Sequence, residues 1–91
     1  MDTPVNTERS FRSERIGTLS RFPGGLNGTI VDIITDGELQ GRLMGLGLLA
    51  GTRFQLLRSG TIDSNVPFLL AIGETRIALD HKIAESILVE A

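Results

Sequence analysis

Ninety-one residues, with eleven glycines and no cysteine, tyrosine or tryptophan, suit one small domain with a modest core. The missing cysteines rule out a disulfide framework and thiolate metal or redox chemistry. A formal charge of −2 gives no general attraction to phosphate backbones, so nucleic acid is not an expected partner, and the 41% hydrophobic fraction argues against a wholly disordered chain.

Residues 1–15 mix Asp2, Glu8 and Glu14 with Arg9, Arg12 and Arg15 and carry few apolar side chains. Burial there cannot offset ordering entropy, so the stretch reads as a flexible tail, with the compact domain covering 16–91. It also lacks the apolar core of a signal peptide, and no run in the chain reaches the ~20 apolar residues of a membrane span. The expectation is a soluble, unexported, cytoplasmic protein.

Pro23-Gly24-Gly25 marks a turn, and Gly28 precedes a β-branched strand at 29–35. In that strand Ile30 and Asp32 share one face and Val31 and Ile33 the other, which predicts cover on both sides. Asp36 is placed to cap a helix over 37–46, where Leu39, Leu43 and Leu46 fall on one face. Gly41 and Gly45 weaken that helix, and Gly47 can end it in a left-handed conformation.

A turn through Leu48, Leu49, Ala50 and Gly51 leads to a strand at 52–58, with Phe54 and Leu56 inward and Arg53, Gln55 and Leu57 outward. Residues 59–66 read as a loop, 67–72 as a strand opened by Pro67, and 75–79 as a strand entered through a Gly73-Glu74 turn. Asp80 can cap one helical turn holding Ile83, Ala84 and Ile87, and Leu88 and Val89 close the chain as a last strand. Five or six short strands with one inserted helix predict a mainly β fold, a small, partly open barrel.

Gly45 to Ala50 has the G-x-G-x-x-A spacing of a dinucleotide loop, but that mechanism needs the loop to follow a strand and open a helix. Here it sits at a helix end, so the glycines read as turn and packing residues. His81 is the sole histidine, with Asp80 beside it and Glu85 four residues on. These three are weak metal candidates: a tight site needs three or four ligands, several of them nitrogen or sulfur, so any divalent ion there would bind weakly or be shared between molecules. No cofactor is expected. Ser10, Ser13, Ser20, Ser59, Ser64 and Ser86 have one histidine among them and no nucleophile motif, so catalysis is not expected.

Two series then carry a family resemblance. Leu19, Phe22, Gly25, Gly28 and Ile30 lead to Arg42-Leu43, Leu46-Gly47 and Gly51; Pro67, Gly73, Ile77-Ala78-Leu79, Ala84, Ile87 and Val89 follow. From about Leu19 to Val89 the chain resembles a FeoA domain. The resemblance implies an SH3-like barrel and a non-enzymatic accessory role toward FeoB, the ferrous-iron transporter with a cytosolic GTP-binding domain. The same fold is implied for the C-terminal domain of DtxR-like repressors, which makes a metal-responsive regulatory domain the alternative. The pattern usually has proline where this chain has Ala50 and a basic residue where it has Asp80, and it has no counterpart of the tail.

Under that resemblance the partner surface is expected around the helix end and the next strand, at Leu46, Leu48, Leu49, Arg53 and Leu57. Three leucines in a turn and on an outward strand face are hard to bury together, and an exposed apolar patch marks an interaction surface or a homo-oligomer contact. Gly25, Gly28, Gly47, Gly51 and Gly73 are expected as structural turn residues. For Arg42 two roles compete, a tie from helix to barrel, which is favoured, and a partner-facing charge. Arg53, Arg58 and Arg76 are the better surface candidates.

Overall fold

The computed structural model describes residues 15–61 and 66–91. Apart from Arg15, the expected tail lies outside the described residues, as does the middle of the 59–66 loop.

The chain runs β1 (Ile16–Thr18), a 3-10 turn (Leu19–Arg21), β2 (Leu26–Ile33), helix α1 (Gly37–Gly45), β3 (Arg53–Arg58), β4 (Phe68–Ile72), β5 (Thr75–Leu79), the short helix α2 (His81–Ala84) and β6 (Ile87–Glu90). The six strands form one antiparallel sheet in the order β1-β6-β2-β3-β4-β5. β1 and the 3-10 turn were not foreseen. β1 is only three residues long, and its backbone pairing with Thr18–Ile16 against Leu88–Glu90 leaves little pattern to read.

The core gathers alternate strand residues with two leucines of the helix and its turn. Ile30, Ile33, Leu43, Leu48, Phe54, Leu56, Phe68, Leu70, Ile77, Leu79, Ile87 and Val89 are buried, with Leu19 and Ala84. Fully burying one such aliphatic or aromatic side chain contributes about 1.5–3 kcal/mol. Among the described residues no polar or charged side chain is buried.

Two bulges set which residues reach that core. Ile30 pairs with Val89 and Asp32 with Leu88, so Val31 is an extra residue on β2. The bulge shifts the alternation, and Ile30 and Ile33, three apart, both turn inward. Val31 is 38% exposed and Asp32 is exposed, so the strand is covered on one side, not two. It also begins three residues earlier than expected and ends at Ile33. A second bulge, at Leu57 between Leu56 and Arg58, half-buries a side chain expected to face outward.

Gly28 is no turn residue. It lies inside β2 opposite Phe54, and a Cβ there would stand 2.8 Å from the Glu90 carbonyl oxygen and 2.8 Å from the Phe54 ring. The ring fills the space a side chain would have taken. Asp36 occupies the N-cap of α1 without a side-chain capping bond, whereas the Asp80 carboxylate does cap α2, accepting from the Ile83 N–H at 2.8 Å. Ile87, expected in that helical turn, is instead the first residue of β6.

Candidate functional site

The end of α1 and the turn after it hold most of the expected partner residues. Helix end geometry decides their fates. The Gly47 N–H donates to the Met44 carbonyl at 3.0 Å, and the Leu48 N–H reaches back to the Leu43 carbonyl at 3.1 Å. With Gly47 at φ 101, this is the paired closure of a Schellman motif. That closure turns Leu48 back beneath the helix, where it joins Leu43 in the core.

Leu48 is therefore 0% exposed and cannot be a contact residue, contrary to expectation. Leu57 is half-buried and only partly available. Leu46 and Leu49, by contrast, are 51% and 42% exposed, and Met44 on the last helical turn is 45% exposed. The sequence reading missed Met44, although helical spacing puts it off the Leu39/Leu43 face. Leu46 also leaves that face, because it is the C-cap and the helix ends at Gly45.

The turn is pinned to the sheet. Gly51 donates to the Ile30 carbonyl at 2.7 Å, Ile30 donates to Thr52 at 2.8 Å, and Thr52 closes on Leu49 at 2.9 Å. Arg53, the first residue of β3, is exposed beside it. Arg42 is exposed too, and among the described residues its side chain makes no hydrogen bond or ion pair. The favoured tie from helix to barrel is thus not made. Gly25, Gly51 and Gly73 adopt positive φ at 89, 92 and 61.

The metal candidates stand elsewhere, around an open cavity of about 570 Å³ lined by Thr61, Pro67, Asp80, His81, Lys82 and Glu85. His81 Nδ1 lies 3.5 Å from a Glu85 carboxylate oxygen, and its ring stands 5.8 Å from that of Phe68 at 54°. One Asp80 oxygen is taken by the α2 cap. The Lys82 ammonium on the same rim opposes a cation. Among the described residues no three or more His, Cys, Asp or Glu stand together as a metal group, and no helix is long and apolar enough to cross a membrane.

A single antiparallel sheet with a helix inserted between its second and third strands, and an apolar turn displayed at the helix end, defines a small SH3-like module. The FeoA domain model matches residues 17–91, and the chain belongs to the FeoA family.

Solved structures agree. An iron uptake regulatory protein, FeoA, is 25% identical at a TM-score of 0.71, covering 82% of this chain and 94% of its own. The FeoA of Stenotrophomonas maltophilia, complexed with zinc and described as a procaryotic SH3 domain protein, is 24% identical at 0.66, covering 80% and 88%. A manganese-dependent transcriptional repressor shares the fold at 0.70 with 20% identity, covering 84% of this chain and 41% of the repressor. No curated protein sequence matches the chain.

Proposed function

We propose that this protein is a non-catalytic accessory factor of bacterial ferrous-iron uptake that acts in the cytoplasm and binds the cytosolic part of a FeoB-type transporter. The contact is made by Met44, Leu46 and Leu49, flanked by Arg53. The observation that carries this reading is three large apolar side chains, each more than 40% exposed, within six residues of a rigid, hydrogen-bonded turn. Exposed apolar clusters of this kind serve contacts between proteins. Membership of the FeoA family supports a partner within ferrous-iron transport.

Such a surface works without moving parts. The backbone bonds from Gly51 to Ile30 and from Ile30 to Thr52 hold the turn on the sheet, so little ordering entropy is lost when a partner covers it. The test is binding of the isolated transporter cytosolic domain to wild type and to Leu46→Asp and Leu49→Asp, each checked for folding. Both variants should bind at least about tenfold more weakly, since each places a charge in a desolvated contact. Equal binding by all three folded proteins would remove the site.

The alternative, a metal-responsive regulatory domain, draws on the repressor's shared fold and on the His81–Glu85 pair. Titration with ferrous iron, manganese or zinc separates the two. Saturable micromolar binding that disappears in His81→Ala favours regulation; its absence leaves the accessory reading standing.

A further inference from the structure

The two outer strands of the sheet are unlike. β1 has three residues, a length that blunts an edge, while β5 has five in unbroken register with β4, no bulge and no proline. Residues flanking a two-residue hairpin turn form a hydrogen-bonded pair, and the pairing alternates from there. Ile72 and Thr75 flank Gly73-Glu74, so Thr75, Ile77 and Leu79 aim their backbone groups at β4. The N–H and C=O groups of Arg76 and Ala78 then point to the open side. Arg76, Ala78 and Asp80 are all exposed, and Asp80 continues the strand in extended geometry at φ −75, ψ 170.

We propose that β5 is a self-pairing edge, through which two copies of this chain join antiparallel about a twofold axis at Ala78. Charge selects the occupant and the register. Backbone alternation allows only registers that bring outward-facing residues together. Centring on Arg76 opposes two arginines, and centring on Ile77 brings Glu74 toward the partner's Asp80, two like charges. Centring on Ala78 sets Arg76 opposite the partner's Asp80 twice over, with a small residue at the axis where the strands meet. The acid at position 80 is what makes the edge complementary to itself. Like charges in the same places would repel. An edge-to-edge contact of this length buries little surface, so the dimer is weak and concentration-dependent.

Sedimentation velocity of the full chain from about 10 µM to about 1 mM tests this. Wild type should pass from monomer to dimer. Ala78→Pro, which removes the donor at the axis from an edge that tolerates proline, should remain monomeric. Arg76→Glu should weaken association about tenfold or more by opposing two acids. Mixing folded Arg76→Glu with folded Asp80→Lys should restore it, because the mixed pair recovers both opposite-charge contacts. Circular dichroism confirms that each variant is folded. A wild type that stays monomeric, a dimer that Ala78→Pro and Arg76→Glu leave unchanged, or a mixture no tighter than its components overturns the proposal.

Discussion

Leu48→Ala should destabilise the protein far more than Leu49→Ala, although the two leucines are adjacent. Leu48 has no solvent-exposed surface and belongs to the core, while Leu49 is 42% exposed. Truncating a leucine to alanine removes three carbons, worth about 0.8 kcal/mol each, or roughly 2.4 kcal/mol of transfer free energy. The cavity left behind raises the loss to about 3–4 kcal/mol. At Leu49 roughly half the side chain already meets water and no enclosed cavity forms, so the loss should stay near 0.5–1 kcal/mol.

For a domain of this size, 3–4 kcal/mol lowers Tm by on the order of 15–25 °C. Urea unfolding followed by circular dichroism measures both variants, and an unchanged m value shows that the midpoint shift reports stability. Losses within about 0.5 kcal/mol of each other would refute the argument from burial. The pair also separates folding from binding: Leu49→Ala should weaken the proposed transporter contact while leaving a stable fold.

Five further substitutions, at four positions, probe the backbone and the cap. Gly28→Ala forces a methyl group to 2.8 Å from the Glu90 carbonyl and the Phe54 ring and should cost about 1–3 kcal/mol by thermal unfolding. Gly47→Ala, at φ 101, should destabilise by about 1–2 kcal/mol, whereas Gly41→Ala, helical with open space around its Cβ, should stabilise by about 0.5–1 kcal/mol; calorimetry on the two should give opposite signs. Asp80→Ala should lose about 1 kcal/mol and Asp80→Asn clearly less, because asparagine keeps the oxygen that accepts from Ile83. Equal losses in urea titration would mean that the cap does not act through that bond.

Much of the fold is legible where local rules act alone. Alternation marks Phe54 and Leu56 on β3 and Ile77 and Leu79 on β5, and the Gly73-Glu74 and Asp80 signals fall at real boundaries. Errors collect where one extra residue shifts the alternation. Val31 and Leu57 are both bulge residues, and a bulge is a property of two paired strands, invisible in either one. Gly28 reads as a turn because glycine usually does; only the partner strand, with Phe54 opposite, shows that it makes room for a ring. The candidate site was half legible. Leu46 and Leu49 are exposed, but Leu48 is not, and the missing step was to continue the helix-ending rule one residue beyond Gly47. The residue after a left-handed glycine commonly packs against the third residue from the helix end, which here is Leu43.

That same rule explains why the exposed leucines hold their positions. A turn that showed Leu46, Leu48 and Leu49 together would have nothing tying it to the core, and its apolar side chains would favour folding back over staying in water. Burying Leu48 anchors the centre of the turn, and the backbone bonds at Gly51 and Thr52 fix its far end to β2. Leu46 lies before the anchor and Leu49 after it, so neither can reach the core without breaking those bonds. Exposure of the outer two thus depends on burial of the middle one. Leu48→Ala should consequently weaken partner binding even under conditions where it remains folded, through disorder in the turn. Hydrogen exchange at the amides of Gly47, Leu48 and Gly51 should accelerate in parallel; lost binding with unchanged protection would refute this coupling between the buried leucine and the order of the turn.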